Sequence, residues 1–249
     1  MAKYAYDVNV LGTGSSGNCI VIDESFMIDC GLNFKVTKDY LSTVSAVFIT
    51  HEHGDHLNIA ALKNIAKTRP ALIENRLFVN ESTLKRLENK GGEFVAKMVS
   101  PKNIIDENWE REIKLGGREY HVRTYPLYHD VQNQGFVFTN DRNETLIHAT
   151  DTQSMRDAPA GLYDFLLVEG NWDEDKTLEM MSSHDAGERF RALRNMRHLS
   201  VQAFERFVRS HSHENSKILQ LHESMELGAR SLINTDFTEK DLKDHLEDE

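Results

Sequence analysis

Apolar residues fall in short runs along the chain, and their spacing switches repeatedly between strand and helix periods. Ile20, Val21 and Ile22, then Phe26, Met27 and Ile28, are two β-prone runs parted by the turn-like DES around Glu24. VSAVFIT (44–50) is nearly unbroken in its hydrophobicity and predicts a buried strand, whereas LNIAALKNIAKT (57–68) carries its apolar residues at helical spacing. RLFVN (76–80) predicts a strand, and ESTLKRLENKGG (81–92) a helix ended by glycine. A β-rich middle follows in REIKL, REYHVRTYPL, GFVFTN and ETLIHAT, with turns at Gly116-Gly117 and at 141–143. YDFLLVEG (163–170) is another buried strand. Helical patterns cover 173–181 and 185–196, and VQAFERFVRS (201–210) continues them with Ser200 as its N-cap. SKILQLHES returns to a strand. Strands precede helices and the order then repeats, which predicts a single α/β domain over 1–249 with two sheets sandwiched between helices. The acidic stretch at about 235–249 is expected to be a solvated helix or tail.

Composition narrows the class. Hydrophobic residues at 39% and charged residues at 28% suit a soluble globular protein, and no apolar run approaches the roughly 20 residues that span a bilayer. The N-terminus shows no secretory signal pattern, and Cys19 and Cys30 are too few for a disulfide scaffold, so a reducing cytoplasm is expected. Forty acids against 29 bases, a net charge of −11, disfavour gripping extended nucleic acid through phosphate neutralisation, although local basic groups can hold a small anion.

VLGTGSSGNC (10–19) places Gly12, Gly14 and Gly17 in the G-x-G-x-x-G spacing of dinucleotide-binding folds. That spacing binds pyrophosphate only where the turn opens a helix, and here β-prone residues follow. The glycines therefore read as a sharp turn, or as a place of close ligand approach where Ser15, Ser16 or Asn18 can hydrogen-bond to substrate.

The densest chemistry is FITHEHGDH (48–56), where His51, His53, Asp55 and His56 follow an apolar strand directly. Alternation along an extended segment would point His51, His53 and Asp55 the same way, with a loop at Gly54 carrying His56 to a second metal. Imidazole and carboxylate suit zinc and other first-row metals. Two sites need further donors, and His129, Asp151 and His222 each sit just beyond a strand. His148 reads as a packed core histidine, His121 as an ordinary strand residue, and His211 and His213 as members of a solvated linker. His184 is left open between facing the cleft and capping the next helix.

H-x-H-x-D-H, a later His, a later Asp and a final His resemble the metallo-β-lactamase superfamily over essentially the whole chain. The resemblance implies a four-layer αββα sandwich with mixed sheets and a site for two divalent metal ions, Zn²⁺ foremost and Mn²⁺ as the alternative. His51, His53 and His129 would bind the first ion, Asp55, His56 and His222 the second, with Asp151 bridging. Such a pair activates water for hydrolysis. Glu169 after an apolar strand and His198 in NMRHLS are similar to signatures of the phosphodiesterase branch that includes transfer-RNA 3′-processing ribonucleases. The resemblance assigns His198 to the phosphate and the leaving oxygen, with Glu169 orienting it and Asp55 joining them in catalysis. GTGSSGN, ATDT and RHLS also resemble the bacterial Yyc-type hydrolases and the phage anti-Pycsar enzymes, which open cyclic mononucleotides such as cyclic CMP and cyclic UMP. Two departures stand out: Trp172 replaces a usual His, and Arg197 a usual Gly. Trp172 can stack on a base and Arg197 can pair with a phosphate.

These readings favour a phosphodiesterase for small 3′,5′-cyclic nucleotides, possessed by a phage as a counter-defence enzyme, over a transfer-RNA-processing or exonuclease-type nuclease. An ester or lactone hydrolase is more remote. A closed structural zinc site is disfavoured by the lack of placed thiols. A homodimer is expected, with 71–80 or 187–210 as its surface, and no membrane partner.

Overall fold

The computed structural model describes residues 6–222. The expected acidic tail at 235–249 lies outside them. Five strands form the first sheet in sequence order: β1 (Val8–Gly12), β2 (Cys19–Ile22), β3 (Phe26–Ile28), β4 (Ala46–Phe48) and β5 (Leu77–Phe78). The first three are antiparallel, and β3, β4 and β5 run parallel. The second sheet holds β6 (Glu110–Leu115), β7 (Arg118–Leu127), β8 (Asn133–Asn140), β9 (Thr145–Ala149), β10 (Tyr163–Glu169) and β11 (Ser212–Leu221), antiparallel from β6 to β9 and parallel from β9 to β11.

Alternation along each strand divides the core into layers. On β4, Val47 faces the first helical layer while Ala46 and Phe48 face the second sheet. Both faces are covered, which is why VSAVFIT reads as a continuous apolar run rather than an alternating one. The helices against the first sheet are α1 (Phe34–Thr43), α2 (Ile59–Thr68), α3 (Pro70–Arg76), α4 (Glu81–Asn89) and α5 (Glu93–Met98). Between the sheets Phe48 stacks on Phe78 at 4.6 Å and Phe26 on Phe138 at 4.5 Å. On the outer face of the second sheet, Ile147, Leu166 and Val168 pack against Phe204, Phe207 and Val208 of α8 (Val201–His211). α6 (Glu174–Ser182) and α7 (Ala186–Asn195) precede α8. The four-layer mixed sandwich is present.

The turns are as chemical as expected. Gly116 and Gly117 both take positive φ, and so do Asp23 and Glu24 in DES, the backbone that joins two-residue hairpins. The glycine turn 12–17 joins β1 to β2 and opens no helix, which removes the dinucleotide reading. Ser200 caps α8 by accepting from Ala203 N–H.

Some expectations are corrected. RLFVN yields only Leu77–Phe78, because Arg76 still belongs to α3, which starts with Pro70 in its first turn. There is no linker around His211 and His213: α8 runs through His211, which stacks on Phe207, and β11 begins one residue later, with His213 3.2 Å from Asp164. The cap of α7 is Asp185, while His184 is exposed. No helix among the described residues is long and apolar enough to cross a membrane.

Candidate metal centre

The loop after β4 is tied down before any ion is considered. Asn18 N–H donates to Asp55 O at 2.6 Å, Cys30 N–H to His56 O at 2.9 Å, and Asn58 N–H to Cys30 O at 2.8 Å. This seam requires Gly31, since a Cβ there would lie 1.6 Å from the Asp55 carbonyl oxygen. The loop is not extended. His56 N–H and Leu57 N–H both turn back to His53 O, so the simple alternation expected for His51, His53 and Asp55 fails at Gly54. His51 and His53 join His129, whereas Asp55 turns to His56, Asp151 and His222.

The site therefore holds three groups of donors, two of them overlapping, each with candidate ligand atoms within 4.8 Å of one another. In the first, His53 Nδ1 and His129 Nε2 are 3.2 Å apart, close to the about 3.3 Å that separates two nitrogens bound at 2.0–2.1 Å to one tetrahedral ion. In the second, Asp151 is the hub. Its carboxylate lies 2.5 Å from His56 Nε2, 3.4 Å from His222 Nε2, 3.1 Å from His198 Nδ1 and 3.7 Å from His51 Nε2. A third, overlapping group joins Asp151 and His222 to Glu169 and His198. Asp151 and His222 follow their strands with φ of 54°, a left-handed conformation that non-glycine residues hold when the surroundings demand it.

These residues fit divalent ions. His51 Nε2 and His222 Nε2 are buried with no hydrogen-bond partner among the described residues, a costly state for a polar atom unless something binds it. Burial, with His56 beside it, holds the His51 imidazole well below its ordinary pKa and so neutral, the form that ligates. Burial also lowers His129. His56 goes the other way. Burial alone would lower it, but Asp29 and Asp151 on its two ring nitrogens outweigh that and raise it to about 10. Asp151 itself is held well below the usual carboxylate range, since hydrogen bonds from His198 and His56 outweigh its burial.

Glu169, fully buried at the end of β10, accepts from the Thr152 and Leu199 N–H groups and lies 3.2 Å from His198 Nδ1. His198 thus sits between two carboxylates, which outweigh its burial and raise its pKa to about 10. Trp172 Nε1 donates to the His198 carbonyl at 2.6 Å, so the indole anchors the histidine's backbone. Arg197 is exposed and 3.7 Å from Asp130. Asn18 is buried, with its amide nitrogen 2.8 Å from His56 Nε2 and its Oδ1 accepting from Gly14 N–H. Ser15 and Ser16 are exposed on the same turn. His148 is buried between the sheets beside Phe136, as read.

Four partners were not foreseen. Asp29 follows β3 and accepts from Thr50 N–H and Oγ1 while holding His56 Nδ1 at 2.6 Å. Its signal was available, a carboxylate just past the apolar FMI. Asp130 lies 3.2 Å from His129 Nε2, Thr13 Oγ1 accepts the His222 N–H, and the Asn171 amide lies 2.9 Å from His222 Nδ1. A carboxylate behind a ligating imidazole orients it and raises its basicity. Asp29→Asn is expected to weaken metal affinity by about 10–100-fold, read by competition with a chromogenic chelator; unchanged affinity would remove Asp29 from the site.

A sandwich of two mixed sheets with this His/Asp cluster at the strand ends defines a class, and sequence comparison agrees. The model of the beta-lactamase superfamily domain matches residues 24–228, and the chain belongs to that superfamily, the metal-dependent hydrolases of the metallo-β-lactamase fold. Exodeoxyribonuclease YycJ of Bacillus anthracis is 25% identical over 164 residues, which cover 62% of this chain and 57% of that protein. The chain thus aligns with little more than half of that relative's length. Among solved structures, the short form of human tRNase Z is similar with a TM-score of 0.58 at 15% identity, covering 88% of this chain and 93% of that one. A diphosphatase of the PhnP family gives 0.59 at 15% identity, covering 88% and 87%. YhfI of Bacillus subtilis gives 0.56 at 17% identity, covering 87% and 85%.

Proposed function

We propose that this hydrolase is a phosphodiesterase that cleaves polynucleotide chains, in the manner of an exonuclease-type nuclease. The observation that carries the phosphodiester part is His198, held by Asp151 at 3.1 Å and Glu169 at 3.2 Å at the edge of the donor groups. Both carboxylates engage Nδ1, which leaves Nε2 for substrate. A charged imidazole in that place binds a phosphoryl oxygen and gives a proton to the departing alkoxide. Glu169, fixed by two backbone N–H groups, holds the ring's orientation. His51, His53 and His129, and Asp55, His56, Asp151 and His222, would hold divalent ions, whose chemistry when bound would be Lewis acidity and the generation of a nucleophile from water at neutral pH. The all-imidazole and carboxylate donor set suits Zn²⁺, with Mn²⁺ as the alternative. The polynucleotide part is supported by the similarity to an exodeoxyribonuclease.

A second reading is hydrolysis of 3′,5′-cyclic mononucleotides, favoured by the net charge of −11, which suits a small anion better than a long one. A substrate panel separates them. Metal-loaded protein is expected to shorten a single-stranded oligonucleotide. Turnover of cyclic nucleotides alone would establish the second reading, and inertness toward both would overturn the assignment to phosphodiesters.

A further inference from the structure

α7 and the turn that closes it carry two exposed rows side by side. Arg191, Arg194 and Arg197 recur every third residue, and so do Phe190, Leu193 and Met196. Residues three apart on a helix are neighbours on its surface. The chain is still turning as a helix beyond α7, since Arg197 N–H donates to Arg194 O and His198 N–H to Asn195 O. The arginine row therefore leads straight into His198. Arg191 and Arg194 have no acidic partner and no side-chain hydrogen bond among the described residues, whereas Arg189 is occupied by the Ser183 carbonyl. Arg197 faces Asp130, which itself touches His129 and His53 of the metal centre.

Three guanidinium groups in a row, two of them without an acidic partner among the described residues, are unexpected on a chain of net charge −11. Their charge complements phosphate, and guanidinium matches its oxygens two at a time. At a rise of about 1.5 Å per residue the row spans about 9 Å, the reach of two to three phosphates of a stacked strand at about 3.4 Å each. The neighbouring apolar row, with Phe190 at its far end, offers faces on which bases can rest, and strand-binding surfaces commonly combine the two. A basic groove elsewhere, lined by Arg69, Arg76 and Lys114, also includes Ser45. Ser45 precedes β4, at the opposite end of that strand from the metal ligands, so a strand held there would not reach the site.

We infer that this face of α7 is a docking track for the single-stranded arm of a polynucleotide, which it guides to His198. The inference rests on the phosphodiesterase reading and adds where the rest of the substrate lies. It is tested with the metal-loaded full chain and the double variant Arg191→Glu/Arg194→Glu. Two substrates are compared: an oligodeoxynucleotide of about twelve nucleotides, and thymidine 5′-monophosphate p-nitrophenyl ester, which is too short to reach the track. The variant is expected to raise KM for the oligonucleotide roughly tenfold with kcat unchanged, and to flatten the salt dependence of kcat/KM by about 1.4 in log–log slope. The ester should be cleaved as by wild type. Equal loss on both substrates, or none on either, would overturn the track. So would a wild-type dimer that the variant dissolves while oligonucleotide kinetics stay unchanged, which would assign the face to a second copy of the chain. If the wild type cleaves neither substrate, the phosphodiesterase reading fails instead. Fluorescence anisotropy of the same oligonucleotide then decides the track alone: weaker binding by the variant supports it, and equal binding overturns it.

Discussion

Asparagine in place of Asp151 is expected to leave a folded protein with little hydrolytic activity. The substitution keeps the shape of a side chain that is 3% exposed and removes one negative charge from among four imidazoles. The remaining charges keep partners, since Asp29 still holds His56 and Glu169 still holds His198. The fold should therefore survive. The donor set should not, because Asp151 is the carboxylate that the second and third donor groups share. Losing a partner behind a ligand costs about 10–100-fold, and losing the hub itself should exceed that. Metal content by elemental analysis and kcat/KM on the nitrophenyl ester, measured on one preparation, check this. Full metal content with full activity would show that the hub carries no ion.

Alanine in place of His198 is expected to lower kcat on an oligonucleotide by about 10²–10⁴-fold, the usual contribution of a positioned general acid. The loss should depend on the leaving group. A nucleoside alkoxide needs a proton as it departs, whereas p-nitrophenolate leaves readily without one. The nitrophenyl ester should therefore lose far less kcat than the oligonucleotide does. An equal loss on both would reduce His198 to a phosphate-binding or structural role. Metal content should be unchanged, which separates this variant from Asp151→Asn.

What was legible in the sequence follows a physical rule. Where an apolar strand ends in a His or Asp, that side chain is presented at the sheet's rim, and His51, Asp151 and His222 were all found in this way. Asp29 obeys the same rule after FMI, but it lies outside the dense histidine motif and its partner His56 is 27 residues away in sequence. Strand alternation does not separate Asp55 from His53, because the separation depends on Gly54 and on two N–H groups returning to one carbonyl; only the resemblance implies it. Nor was the need for Gly31, which comes from a seam between segments distant in sequence. The layers were clearer than the boundaries. Continuous apolar runs mark strands covered on both faces, whereas α3 runs through Arg76 into the stretch that reads as a strand, and α8 passes directly into β11 where a linker is expected. The arginine row on α7 went unread for another reason. Chain-wide charge is acidic, and of the three arginines only Arg197 stands next to a motif that points to phosphate.

Reconstitution of activity from metal-free protein is the most direct test. Chelator-stripped protein is titrated with Zn²⁺, and separately with Mn²⁺, while cleavage of the nitrophenyl ester and bound metal are followed together. Activity should be absent at the start, return in step with ion binding, and fail to return in Asp151→Asn. Undiminished cleavage by stripped protein, or a fully loaded wild type that cleaves no phosphodiester, would contradict a metal-dependent phosphodiesterase at this site.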